Sequence, residues 1–139
     1  MALDASRTIH SRCGKVLIDG NEQTNVTECT AKVDLDKKEL NLIGDKWTRY
    51  KKGNMKGSGT FKGYHVTSDM IEREFSRFEL ILCLEDPEAY GFERIRLKNC
   101  MADSLYLANL KVGDLVQEES PFTFEEYELL DKIVATDSW

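Results

Sequence analysis

Between Asn25 and Leu35 the side chains alternate. Cys29, Ala31, Val33 and Leu35 are apolar or small, and Glu28, Thr30, Lys32 and Asp34 separate them. A period of two places one set on each face of a β-strand, one face covered and the other wet. A second alternation runs from Lys38 to Ile43 through Leu40 and Leu42. A strand this long and this two-faced cannot stand alone in water. It needs neighbouring strands and a partner layer on its apolar face.

The rest of the chain supplies strands of the same kind. Cys13 to Ile18 is a short β-type run that ends at Asp19-Gly20-Asn21, where Gly and Asn accept the positive φ of a tight hairpin. The partner strand is expected to begin near Glu22 and to be long. Thr60 to Val66 returns to strand patterning, with Gly63 marking a bulge. Leu80 to Leu84 reads as a strand, and Glu85 to Glu88 as a turn. In Arg94 to Lys98 the alternation is strict, so Ile95 and Leu97 face a core. Tyr106 to Leu110 is expected to be another strand. The last runs from about Leu115 to Tyr127, and Pro121 within it argues for an edge or a bulge, because proline cannot donate to a ladder.

One amphipathic helix is expected at about residues 68–78, after the Thr67-Ser68-Asp69 start signal. Met70, Ile71, Phe75 and Phe78 form its apolar stripe. The expected fold is mainly β, all-β with one helix. It is a small antiparallel β-sandwich or barrel of seven or so strands. The 139 residues suggest a single domain spanning 1–139. Within it, 1–12 form a polar N-terminal arm and 130–139 an acidic tail.

Residues 44–59 differ in character. Gly44, Gly53, Gly57 and Gly59 punctuate the basic, aromatic stretch from Lys46 to Lys52. Without clear periodicity it reads as a long loop, and long loops in small domains are commonly functional. Charge also changes here. The net charge of the chain is −6, yet residues 44–63 carry six basic and one acidic side chain, and residues 114–139 one basic and eight acidic. The overall acidity argues against a protein that coats nucleic acid. The division supplies two complementary patches.

Several chemistries find no footing. Cys13, Cys29, Cys83 and Cys100 form no C-x-x-C pair, and His10 and His65 are the two histidines, so no metal-ligand spacing emerges. Each cysteine lies in an apolar or strand-like run and reads as a small buried hydrophobe. No G-x-S-x-G elbow is present, and the glycines of 53–63 match neither phosphate-loop template. No cofactor and no catalytic group is expected, and the chain does not read as an enzyme. No apolar run is long enough for a transmembrane helix. The N-terminus lacks a signal-peptide stretch, which favours synthesis and assembly in a cytoplasm.

The order of elements resembles a known family. It runs from Gly14-Lys15-Val16-Leu17-Ile18-Asp19-Gly20 through the long alternating strand to Asn41-Leu42-Ile43-Gly44. Gly57-Ser58-Gly59-Thr60-Phe61 and Tyr64-His65-Val66-Thr67-Ser68 follow, and near the end stands Glu118-Glu119-Ser120-Pro121-Phe122-Thr123-Phe124-Glu125-Glu126-Tyr127. This resembles the XkdM-like tail tube proteins of contractile-tailed phages and defective prophages, over nearly the whole chain. The resemblance implies hexameric rings that pool their sheets into a β-barrel around a channel and stack into a tube. It also implies that the tube conducts DNA during infection, inside a contractile sheath. Implied partners are further copies of the chain, the sheath, baseplate and tail terminator proteins. Tape measure protein and DNA would occupy the lumen without specific binding. The implied location is the virion, after assembly in the host bacterial cytoplasm.

The residues then suggest an assembly surface. Two different, complementary patches suit head-to-tail contacts in a ring or stack. Trp47 and Tyr50 are candidate anchors, because aromatic side chains dominate interface energetics. Lys51, Lys52 and Lys56 are expected to face Glu118, Glu119, Glu125 or Glu126 of a neighbour. Two alternatives remain from the residues alone: a tube subunit of a bacteriocin-like particle or type VI-like secretion machine, and a monomeric ligand-binding β-barrel. The low aromatic content, 9%, disfavours the second.

Overall fold

Asp19 and Gly20 both have positive φ, 50° and 85°. They form the two-residue turn of a hairpin in which Ile18 faces Asn21. The turn expected there is present, but its second strand is short. A computed structural model of the chain describes residues 4–10 and 14–134. Cys13, the ends of the N-terminal arm and residues 135–139 lie outside the described residues.

Eight strands follow one 3₁₀ turn at Ala5–Arg7. They are β1 (Gly14–Ile18), β2 (Asn21–Glu22), β3 (Val26–Leu40), β4 (Arg49–Tyr64), β5 (Phe78–Leu84), β6 (Glu93–Ala102), β7 (Gln117–Phe124) and β8 (Glu126–Asp131). All pairings are antiparallel. Strands β2, β1, β5, β6 and β8 lie in one layer, and β7, β4 and β3 in the other. Strand β6 joins the two. Its first half pairs with β8, and its last two residues, Met101 and Ala102, pair with β7.

The core lies between the layers around Phe122, which is fully buried. Its ring centroid is 5.8 Å from that of Phe61 and 6.4 Å from those of Phe78 and Phe124. Val16, Ile18, Leu80, Leu97 and Cys100 complete the cluster. Ile95 and Leu97 face it, as the alternation predicts. Truncating a buried aromatic of this kind costs about 3–5 kcal/mol.

Two glycines make the contact between β4 and β7 possible. In register, Gly57 faces Phe124 and Gly59 faces Phe122. A Cβ on Gly57 would lie 2.3 Å from Cε2 of Phe124, and one on Gly59 would lie 2.3 Å from the Thr30 carbonyl oxygen and 2.6 Å from Cζ of Phe122. The missing side chains are therefore the space into which the two phenylalanines fit.

Several expectations are corrected. Residues 49–59 are not a loop: they are the first part of β4, paired with β3 along the length of both strands. Their glycines obscured the period by emptying one face. The helix expected at 68–78 is a single short α1, Asp69–Arg73. It ends where Glu74 takes φ 51°, and Phe78 instead enters β5, where it packs on Phe122. Ser68 occupies the N-cap position without a side-chain bond to the helix. Phe75 is exposed, so the apolar stripe is not one core face. No strand forms at Tyr106–Leu110; the segment instead reaches β7 by side chains, Tyr106 to Glu119 and Asn109 to the Gln117 carbonyl.

The final strand is two strands, not one. Chain direction changes layer at Glu125, whose N–H donates to the Lys98 carbonyl. The start of the expected 130–139 tail is thus the end of β8. Pro121 pairs with Thr60 within β7, and its carbonyl accepts from the Asp103 N–H where β6 ends. The bulge expected at Gly63 lies opposite it, with Thr27 as the extra residue.

The Asp19 carboxylate accepts from the Glu79 N–H and, at 2.7 Å, from Arg73. These bonds, the backbone one first, hold its carboxyl below the usual carboxylate range. A group with a lowered folded-state pKa stabilises above its unfolded value and loses that contribution as pH falls. Asp19→Asn, which tolerates the same φ, should destabilise at pH 7. Its deficit relative to the native chain should shrink below about pH 4, read from urea unfolding at both pH values. Gly57→Ala should destabilise by about 1–3 kcal/mol in the same assay, because the new methyl must displace the Phe124 ring.

Candidate functional site

Strand β4 pairs with β7 from Gly57 onward. Before that point, its residues 49–56 have β3 as their partner. Eight residues at about 3.3 Å each make an arm of roughly 26 Å beyond the second layer, and the connecting residues 41–48 extend it. A two-stranded ribbon is marginally stable in water by itself. This one also exposes apolar surface. Val33, Leu35, Leu40, Leu42, Ile43, Trp47, Tyr50 and Met55 are all exposed, Ile43 fully. Scattered single apolar residues are ordinary on a surface, but eight large ones on one projecting ribbon are not.

The local reasons for this shape are visible in register. The face that carries Cys29, Ala31 and Phe61 inside the domain continues outward as Val33, Leu35 and Met55. A bulge follows, with one residue on β3 (Asp36) against two on β4 (Gly53 and Asn54). Beyond it Lys37 faces Lys52, and Lys38 faces Lys51. At the tip Asp45 accepts from the Trp47 N–H at 2.9 Å and from Arg49 Nε at 3.0 Å. The backbone of Trp47 is thereby held while its ring is 74% exposed. Tyr50 is exposed beneath Lys37 Nζ, 5.9 Å from the ring centroid.

The acidic candidates lie on other strands and already have partners. Glu118 bonds His65 Nδ1 at the root of the arm. Glu119 faces Lys62 and lies 3.5 Å from the Tyr106 hydroxyl. Glu125 accepts from Arg77 at 2.9 Å and from Asn99 at 3.3 Å. Glu126 faces Lys98. Lys56 faces Asp34. Among the described residues no ion pair joins Lys51, Lys52 or Lys56 to these four carboxylates. Trp47 and Tyr50 share the arm with the three lysines, whereas the glutamates belong to β7, β8 and the corner between them.

A groove of about 230 Å³ opens where the arm leaves the domain, lined by Val33, Met55, Gly57, Phe124, Glu125, Glu126 and Tyr127. The sequence carried no sign of it, because Tyr127 and Met55 meet only through the β6–β8 and β4–β7 registers. Cross-strand ion pairs were also invisible. Arg96 pairs with Glu79 and Glu128, and Lys98 reaches Glu128 at 3.4 Å. The three described thiols are poor nucleophiles. Burial pushes those of Cys29 and Cys100 up to about 11, and raises that of Cys83. No helix among the described residues is long and apolar enough to cross a membrane.

Like charges set directly opposite repel. Replacing both arm lysines, Lys51→Glu with Lys52→Glu, should therefore leave the dilute subunit as stable or more stable. The expected gain is about 0.2–1 kcal/mol for each relieved pair, measured by urea unfolding. A loss of stability would show that these lysines do not repel across the ribbon.

Residues 1–131 match the family model described as phage tail tube protein. The phage-like element PBSX protein XkdM of Bacillus subtilis (strain 168) is 32% identical over 146 residues, covering 98% of this chain and 99% of that one. The fold is similar to the tube-terminating cap of the anti-feeding prophage, with a TM-score of 0.73 at 10% identity over 95% of each chain. It is also similar to a chain in the sheath–tube complex of an extracellular contractile injection system. There the TM-score is 0.70 at 11% identity, over 96% of this chain and 100% of that one. The match over residues 1–131 and the 32% identity along nearly the whole chain place this chain in the phage tail tube protein family.

Proposed function

We propose that this chain is the repeating subunit of a phage tail tube. Six copies form a ring, rings stack into a hollow tube, and the tube conducts DNA during infection inside a contractile sheath. The β3–β4 arm carries this reading. It holds eight exposed large apolar side chains on a ribbon that its own domain does not cover. A second copy of the chain can cover them, in the same ring or the next one.

Head-to-tail assembly requires two unlike surfaces on each subunit. The arm is basic beyond the bulge, and β8 with its preceding corner is acidic through Glu125, Glu126, Glu128 and Asp131. Trp47 and Tyr50 serve as the apolar anchors of the contact, and Lys51 and Lys52, beyond the bulge, steer it. Free sheet edges support the same reading. Strands β2, β3 and β8 each leave one edge unpaired among the described residues, and pairing between subunits would remove that hazard. Sheath, baseplate and terminator proteins are the further partners. Tape measure protein and DNA occupy the bore in turn, and assembly precedes incorporation into the virion. The work of the chain is structural and needs no cofactor.

A second reading shares these contacts. The fold similarity to an extracellular contractile injection system favours a tube that delivers a different cargo. What the bore of purified particles contains distinguishes the two.

Size-exclusion chromatography and negative-stain micrographs at high concentration should show rings or tubes. Replacing residues 37–53 by Asn-Gly, a pair suited to a two-residue hairpin turn, should leave a folded monomer that forms neither. Lys51→Glu with Lys52→Glu should slow assembly most at low salt. Tubes formed equally well by both variants would remove the arm from the interface.

A further inference from the structure

The layer formed by β3, β4 and β7 has a second face, opposite the phenylalanine cluster. Register defines its rows. Glu28, Lys62 and Glu119 stand side by side, then Thr30, Thr60 and Pro121, then Lys32, Ser58 and Thr123, then Asp34 and Lys56. The rows span about 20 Å along the strands. None of these side chains is buried, and none is a large hydrophobe. Three lysines and three carboxylates share the surface, so its net charge is zero. Lys62 lies 3.9 Å from Glu28, and Lys32 lies 3.8 Å from Asp34. Lys56 faces Asp34 across the strands.

We infer that this face lines the channel and is built to pass a polyanion without holding it. The inference rests on the tube reading above. The opposite face of the same ribbon carries Val33, Leu35 and Met55, which demand cover by a neighbour. The hydroxyl-and-ion-pair face is therefore the one left to water after assembly. The other layer is a poorer lining. Its outer face presents Arg94 and Arg96, which are also paired with carboxylates, but an arginine keeps further donors in a planar fork that suits phosphate better than a lysine does. Lysines already set beside carboxylates release few counterions to a passing phosphate, which keeps its affinity low. The hydroxyls of Thr30, Thr60, Ser58 and Thr123 add a wetted surface without charge. The acidity of the chain thus lies elsewhere, and the bore is neutral by pairing.

The test removes the carboxylates and leaves the lysines. Glu28→Gln, Asp34→Asn and Glu119→Gln are combined in one chain, and tubes are incubated with short double-stranded DNA at low salt. A control chain carries Glu79→Gln, Glu85→Gln and Glu88→Gln, an equal charge change on β5 and the turn that follows it, outside the surfaces assigned to assembly. The lining variant should sediment with roughly tenfold more DNA than native tubes, lose it as salt rises, and show density inside the bore by electron microscopy. The control should show no density in the bore. Lining-variant tubes that bind DNA only outside, or no more than native tubes, overturn the inference. Should the triple variant fail to assemble, the three single variants are read in the same way, and an empty bore in all three overturns it. A native chain that forms neither rings nor tubes overturns the tube reading itself.

Discussion

Phe122 has nowhere to go unless Gly59 stands opposite it, and Phe124 needs Gly57 in the same way. This fit of two rings onto two bare backbone positions sets the register of β4 against β7. Phe122 also packs on Phe78 of β5, so the same ring ties the two layers together. Once β4 is placed by its inner half, its outer half runs on past the end of β7 with β3 as its partner, through one bulge at Gly53 and Asn54. The root of the arm is therefore fixed by the core.

Charge is distributed to match. Where strands are covered on one face, their other face carries lysines set against carboxylates, as in the Glu28–Lys62–Glu119 row. Beyond the bulge at Asp36 the pattern breaks, and lysine faces lysine. Repulsion inside a marginal ribbon makes sense when the opposing charge comes from outside the chain. The corner at Glu125 and strand β8 hold such charge, although Glu125 also serves its own subunit through Arg77 and Asn99. In the proposed assembly these own-chain bonds would be shared or exchanged with a neighbour, which would make the contact tunable by salt.

Much of the fold was legible from pattern. The strict alternation of Arg94 to Lys98 and of Glu28 to Leu35 put the correct faces inward, and Asp19-Gly20 marked a real turn. The errors share one cause. Glycines at 53, 57 and 59 have no side chain to show a period, so β4 read as a loop. Phe75 and Phe78 have helical spacing, yet Phe78 is drawn into β5 by aromatic packing that local propensity does not contain. Trp47, Tyr50, Lys51 and Lys52 stood out by composition, and the structure sets them together on one exposed ribbon. The partners of the acidic residues were not, because His65–Glu118 and Arg77–Glu125 join positions about 50 residues apart.

The sequence by itself determined a β-rich, two-faced chain with family-level likeness to tail tube proteins, because a period of two and a fixed order of turns are local properties. Only the tertiary structure decided that the glycine-punctuated stretch is half of a long ribbon. It also decided that β7 and β8 part at Glu125 to serve different layers, and which charges neutralise one another. Those outcomes depend on register between distant strands, and register is set by whether a ring on one strand meets an empty position on another.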